Sequence, residues 1–200
     1  FTGWFRKNGF SDPEKTYWAV NIDDNTLLIG LDTTIPNEFR GEISKEQLEW
    51  LKEVLENNKN KQTIIVMHHP AIVNCTKPHT NRDFILSNSN QFLGLLSANP
   101  QVKLVLSGHH HINSVTKVNN TIFITSPSIV TYPNSFKILE LYPDRVVVED
   151  KQISFKQIVK KAKKDIIKTD YARQYDYQDP QSVLQLQEGN KFSRQKVYYL

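Results

Sequence analysis

Residues 102–111 read VKLVLSGHHH: a mostly apolar run, a Ser-Gly pair and three consecutive histidines. A short apolar run of this kind predicts a strand buried on both faces, because a strand with one wet face would alternate apolar and polar residues. The same order occurs upstream, where residues 63–67 (TIIVM) precede His68 and His69. The sequence therefore predicts two buried strands that each end in histidines.

The elements around these two strands predict the fold class. Ser44 and Gln47 form a capping-box pattern ahead of leucines at helical spacing, and this pattern predicts a helix. Further helices are expected at residues 91–97 and 152–169, and further strands at residues 17–22, 27–31, 121–125, 136–141 and 146–148. Alternating strands and helices, together with consecutive strands, predict a layered α/β fold with a partly antiparallel sheet.

Length and composition limit the class of protein. The 200 residues, 38% of them apolar, suit one domain with a tail. The single cysteine, Cys75, cannot form an intrachain disulfide, which favours a reducing compartment, so we expect a cytoplasmic location. No apolar run approaches the length of a membrane span. The chain starts at Phe1 rather than Met, and we expect it to be a fragment.

The positive charge is concentrated near the C-terminus. The formal net charge is +4, but residues 151–173 hold eight Lys or Arg and two Asp, which is +6 locally. We therefore divide the chain into residues 1–150 and a basic amphipathic helix with a polar tail at residues 151–200. The expected apolar face of this helix holds Phe155, Val159, Ala162 and Ile166. Its lysines are either a solvated face or a surface for nucleic acid or acidic membranes.

The two histidine clusters have a plausible chemical role. Neutral imidazole is a common metal ligand, and side chains that follow strand ends are both fixed and accessible. His109 and His111 are one residue apart and would face the same way from an extended segment. Either cluster alone is more often a turn with solvated or buried histidines. Both clusters together, each after a buried strand, favour a metal site.

These motifs carry a family resemblance. Gly108 to His111 matches the G-H-x-H motif of the calcineurin-like metallophosphoesterases, and residues 66–70 (VMHHP) match the strand-histidine motif that precedes it. Residues 30–34 (GLDTT), 41–44 (GEIS) and 126–128 (SPS) are most similar to the class III cyclic-nucleotide phosphodiesterase branch. The resemblance implies the C-terminal portion of an α/β/β/α sandwich with mixed sheets.

The resemblance also implies a set of site residues. His68 and His109 match ligands of one metal, and His111 matches a ligand of a second metal. His69 matches a pocket-lining residue, whereas His110 occupies the variable position, so its replacement is expected to do little. No catalytic residue is expected beyond the metal ligands.

The implied activity is hydrolysis of small phosphate esters, with phosphodiesters such as cyclic nucleotides the leading candidates. Two metal ions (Fe, Mn or Zn) about 3.5–4 Å apart would share a bridging hydroxide that attacks phosphorus. No specific nucleic acid is expected as a partner.

One departure from the family pattern keeps other interpretations open. The Asp-x-His, the bridging Asp and the Asn that supply the remaining ligands have no counterpart before residue 17. The isolated chain is therefore expected to be inactive, and a degenerate, non-catalytic homologue or a basic-helix binding module remains possible. A cysteine nucleophile is disfavoured, because Cys75 and His79 in one loop do not make a triad.

Overall fold

The computed structural model describes residues 15–73, 84–194 and 196–200. Cys75 and His79 lie outside these ranges. The first sheet has six strands in the order β1-β2-β3-β4-β6-β5. Its strands are β1 (Trp18–Asp23), β2 (Thr26–Gly30), β3 (Gln62–Val66), β4 (Val102–Ser107), β5 (Ser114–Val118) and β6 (Thr121–Thr125). The central four strands run parallel, while β1 and β5 are antiparallel edge strands.

The second sheet has three antiparallel strands and lies against the first. It consists of β7 (Ser135–Leu141), β8 (Arg145–Gln152) and β9 (Val197–Tyr199), in that order. The strands predicted at residues 136–141 and 146–148 are confirmed as β7 and β8, which pair antiparallel as a hairpin. A mixed α/β fold with parallel and antiparallel strands is therefore confirmed.

The alternating side chains of the large sheet separate two hydrophobic cores. Ile29, Ile65 and Val105 face helices α1 (Lys45–Glu56) and α2 (Ser89–Ser97). Ile64 and Leu104, one residue away on β3 and β4, face the small sheet instead. Because both faces are covered, the central strands lack polar alternation, and this is the pattern that the sequence showed. The layers are therefore helix, sheet and sheet.

Helix α1 begins as its capping-box pattern predicts, but the glutamine has another use. The Ser44 side chain accepts a hydrogen bond from the backbone N–H of Gln47 at 3.2 Å. The Gln47 side chain, instead of returning to Ser44, donates to the Asp32 carbonyl and accepts from the Asp32 N–H, both at 2.8 Å. This pair of bonds ties α1 to the loop that follows β2.

The C-terminal region contains more structure than its sequence pattern indicated. Helix α3 (Lys156–Ile166) is shorter than predicted, and it is followed by α4 (Asp170–Tyr175), a 3₁₀ turn (Pro180–Ser182) and α5 (Val183–Glu188). Val159 and Ile166 are buried as expected, but Phe155 precedes the helix and is 68% exposed, so its assignment to the apolar face was wrong. The lysines of α3 lie on its exposed side.

A third hydrophobic cluster joins these helices to the rest of the chain. Val159, Tyr175 and Val183 pack with Ile112 and Tyr132, which lie in the loops after β4 and β6. Within the described residues, no helix is long and apolar enough to cross a membrane.

Candidate metal centre

The two histidine clusters lie at the same edge of the large sheet. His68 and His69 follow β3, and His109 follows β4, the parallel neighbour of β3. Carboxyl ends of neighbouring parallel strands meet at one edge, which is where α/β proteins place ligand groups. A hydrogen bond of 3.0 Å from the Gly108 N–H to the His68 carbonyl keeps the two loops in register.

His68 and His109 meet through their ring nitrogens. His68 Nε2 and His109 Nδ1 are 3.0 Å apart. Two imidazole nitrogens that each lie roughly 2.0–2.1 Å from one ion at about right angles would be about 3 Å apart. The buried Nε2 of His109 has no hydrogen-bond partner among the described residues. This separation suits two ligands of a single metal, and it equally suits an N–H···N hydrogen bond between the two rings.

His69 is the third member of the close group, but its nitrogens are already engaged. The candidate ligand atoms of His68, His69 and His109 lie within 4.8 Å of one another. His69 Nε2 lies 3.0 Å from the Phe39 carbonyl, which can only accept, so Nε2 carries the hydrogen. Its Nδ1 then accepts from the Thr33 hydroxyl at 2.8 Å. These two bonds leave His69 no lone pair for a metal and favour the predicted pocket-lining role.

Gly41 makes the position of His69 possible. A Cβ atom on Gly41 would lie 2.3 Å from Cγ and 2.4 Å from Nδ1 of the imidazole. A glycine is required here by close approach rather than by an unusual backbone conformation. The 41–44 segment, which carried part of the family resemblance, thus contacts the site directly.

His111 lies beside the close group rather than within it. It is half-buried, and its Nδ1 is 3.5 Å from the hydroxyl of Thr131 in the loop after β6. The expected extended segment is wrong, because His109 and His111 both have left-handed backbones, with φ of 56° and 52°. The structure brings together His68, His69 and His109, with His111 adjacent.

His110 is the buried residue of the second cluster. Its side chain is 1% exposed and stacks on Phe84, with ring centroids 4.6 Å apart. Burial, together with the neighbouring His111, lowers its pKa to about 4. The sequence offered no sign of this packing role, because all three histidines of the run look alike. The burial favours a larger effect of replacing His110 than the family pattern implied.

The surroundings keep the other histidines neutral. Burial lowers the pKa of His109 to about 3, assisted by the charges that His69 and His68 would carry. Burial also lowers the pKa of His68, and that of His111 falls through burial and the nearby His68. Neutral imidazole is the form that binds a metal. These imidazoles are therefore neutral near pH 7, which is the form able to bind a metal.

Asp32 contributes a carboxylate near this edge of the sheet. Its Oδ1 accepts hydrogen bonds from the Thr34 N–H at 2.9 Å and the Thr34 hydroxyl at 2.6 Å. Partial burial would raise its pKa, but the bonds from Thr16 and Thr34 outweigh it, so the pKa is lowered. Asp32 is therefore a charged residue of the 30–34 loop, held by local hydrogen bonds.

The mixed α/β sheet with paired histidines at its carboxyl edge agrees with the metallophosphoesterase resemblance of the sequence. No family model matches the chain. A probable cyclic nucleotide phosphodiesterase of Synechococcus is 30% identical over 124 residues, covering 58% of this chain and 47% of the relative. A probable glycerophosphodiester phosphodiesterase of Arcobacter nitrofigilis is 29% identical over 126 residues, covering 62% and 43%. The chain spans about half the length of the curated relatives it matches.

A solved structure shares the fold. The dimetal phosphatase from Danio rerio aligns with a TM-score of 0.57 and 17% identity, covering 74% of this chain and 60% of that one. At this identity the likeness shows the fold alone. Together with the phosphodiesterase relatives, it confirms the resemblance to the calcineurin-like metallophosphoesterases.

Proposed function

We propose that this chain forms part of a metal-dependent phosphodiesterase and supplies histidine ligands to its centre. The observation that carries the proposal is the 3.0 Å approach of His68 Nε2 and His109 Nδ1 across two parallel strand ends. The relatives that align over this region are named as hydrolases of cyclic nucleotides and of glycerophosphodiesters. Two phosphodiester classes are therefore the leading substrates.

In this proposal the four histidines of the site take three roles. His68 and His109 hold one metal, and His111, beside Thr131, holds a second. His69 lines the pocket, because its hydrogen bonds to Thr33 and to the Phe39 carbonyl occupy both ring nitrogens. The bound metals would supply a hydroxide near neutral pH and stabilise charge on the phosphoryl oxygens. Fe, Mn and Zn all accept imidazole ligands.

The test compares metal content and turnover in the protein that carries this chain. His109→Ala should lower the content of bound Mn²⁺ and reduce hydrolysis of a chromogenic phosphodiester by at least about 100-fold, because ligand loss removes the nucleophile's activation. The matched control is Lys160→Ala on the exposed side of α3, which should leave both values unchanged. Normal metal content and turnover in His109→Ala would refute the ligand assignment, whereas absence of both in the unaltered protein would favour a non-catalytic homologue.

The basic helix offers a way to test the competing binding function. The α3 lysines are exposed while Val159 and Ile166 are buried, which supports a solvated helix face. Binding of the chain to DNA or to vesicles of anionic lipid, weakening steeply with salt, would support a binding module instead.

We also propose a cytoplasmic location, which rests on the single cysteine and is checked by fractionation.

A further inference from the structure

The backbone of the second histidine loop is strained and must be held by its neighbours. His109 and His111 have φ values of 56° and 52°, in the left-handed region that residues with a Cβ rarely adopt. Two such residues separated by one position persist only where the surroundings enforce them. The contacts of the intervening and following residues therefore decide where the two imidazoles lie.

Helix α4 supplies a direct contact to the middle of this loop. The Tyr171 hydroxyl donates a hydrogen bond of 3.0 Å to the backbone carbonyl of His110, the residue between the two strained ones. The Tyr171 ring also meets the His110 ring edge to face, with centroids 6.4 Å apart. Thr169 caps α4 by accepting a hydrogen bond from the Ala172 N–H at 3.3 Å, which fixes the helical turn that carries Tyr171.

Helix α5 fixes the residues directly after the loop. The Asn113 N–H donates to the Leu186 carbonyl at 2.9 Å. The Asn113 side chain accepts a bond of 2.9 Å from Lys137, whose buried ammonium also pairs with Asp150 at 2.6 Å. Ile112, 1% exposed, packs among the apolar side chains of the C-terminal helices. Hydrogen bonds therefore hold both ends of the 110–113 segment, one from Tyr171 to His110 and one from Asn113 to Leu186.

We propose that the C-terminal helices α4 and α5 position His109 and His111 for metal binding, with Tyr171 as the positioning residue. The inference rests on the proposed function, since it concerns the same ligands. It gives residues 170–188 a role that the polar tail expected from the sequence did not include. Tyr171 does not touch the metals; it acts by holding the carbonyl between the two left-handed residues.

The test removes one hydroxyl. Tyr171→Phe keeps the ring and loses the bond to His110, whereas the control Tyr175→Phe changes a buried tyrosine one turn later in α4. In the protein that carries this chain, Co²⁺ affinity and the visible spectrum of bound Co²⁺ report the ligand geometry. We expect Tyr171→Phe to weaken Co²⁺ binding about three- to tenfold, the loss typical of one hydrogen bond, and to alter the spectrum. Tyr175→Phe should do neither.

A second measurement needs no metal. Amide hydrogen exchange at residues 109–113 should accelerate in Tyr171→Phe by about the same factor, beyond any change in global stability, and stay unchanged in Tyr175→Phe. If both variants lose Co²⁺ affinity equally, or if exchange in the loop does not change, the positioning role is refuted. If the unaltered protein that carries this chain takes up no Co²⁺, the ligand assignment fails, and the exchange result alone decides whether α4 holds the loop.

Discussion

Both histidine loops hold imidazoles at the edge of the large sheet, but each loop is held by different contacts. The loop after β3 uses hydrogen bonds and a tight approach: Thr33 and the Phe39 carbonyl bind the His69 ring, and Gly41 makes room for it. The loop after β4 uses packing, with His110 buried against Phe84 between two strained residues. The first loop is held by nearby chain segments and the second by the C-terminal helices. A mutation that removes a hydrogen bond and a mutation that removes packing will therefore not damage both loops equally.

The largest effect is expected in the packed loop. His110→Ala removes a fully buried ring and should lower the free energy of unfolding by about 2–4 kcal/mol, because the cavity cannot collapse completely. Chemical denaturation measures this change. His110→Phe, which keeps an aromatic ring against Phe84, is the matched variant and should lose much less. Equal losses in the two variants would mean that the ring's packing is not what holds this loop.

The close approach at the first loop comes next. Gly41→Ala should lower the free energy of unfolding by about 1–3 kcal/mol and displace the His69 ring, because the added Cβ overlaps it. Gly94→Ala is the control: that glycine lies in α2 with nothing within 4 Å of an added Cβ, so the change should be neutral or stabilising by up to about 1 kcal/mol. A stable Gly41→Ala protein would contradict the tight contact.

The hydrogen bonds to His69 should show a smaller effect. Thr33→Val removes the hydroxyl that bonds His69 Nδ1 and also accepts from the His69 N–H, and should cost about 1–2 kcal/mol. Thr33→Ser keeps the hydroxyl and should cost less. Nitrogen chemical shifts of the His69 ring check the bonding directly. Unchanged shifts in Thr33→Val would show that the tautomer is set by the Phe39 carbonyl alone.

The smallest effect concerns pH and the support of the packed loop. Hydrogen bonds from Lys163, at 2.8 Å, and from Tyr132 lower the pKa of Glu188 below its ordinary 4.5. The folded state therefore gains stability above about pH 4.5 and loses it as the pH falls through the lowered pKa. Because the pair is partly exposed, the contribution is under about 1 kcal/mol. Glu188→Gln should flatten the acid limb of a stability–pH curve; an unchanged limb would assign no stability to the pair.

The elements that the sequence predicted well are those whose pattern reports burial directly. Strands β3 and β4 are covered on both faces, and α1 has a capped start and a leucine stripe, so local residues carried the signal. Strand β5 (SVTKV) was missed because only two of its five residues are apolar and these two do not alternate. Helices α4 and α5 have six residues each, too short to be stable by propensity, and depend on the third cluster.

The resemblance implied that His68 and His109 hold one metal, and the structure places their ring nitrogens 3.0 Å apart. The contacts that hold the two loops were not predicted. The left-handed backbones of His109 and His111 could not be predicted, since neither residue is Gly or Asn and the hydrogen bond to the carbonyl between them comes from Tyr171, about 60 residues away. His110 is buried against Phe84, which lies outside its own loop. Contacts made across the fold leave no trace in local spacing.

The Gln47 side chain forms two hydrogen bonds with the backbone of Asp32 at the edge of the sheet. Its carboxamide bonds the N–H and the carbonyl of Asp32 as the backbone of a neighbouring strand would. Helix α1 therefore satisfies the backbone of Asp32 beyond the end of β2. A carboxylate of the same size at this position would turn one of these two contacts into lone pairs facing a carbonyl. Glutamate is closest to glutamine in shape, yet Gln47→Glu is expected to be unfavourable because the carboxylate cannot donate to the Asp32 carbonyl.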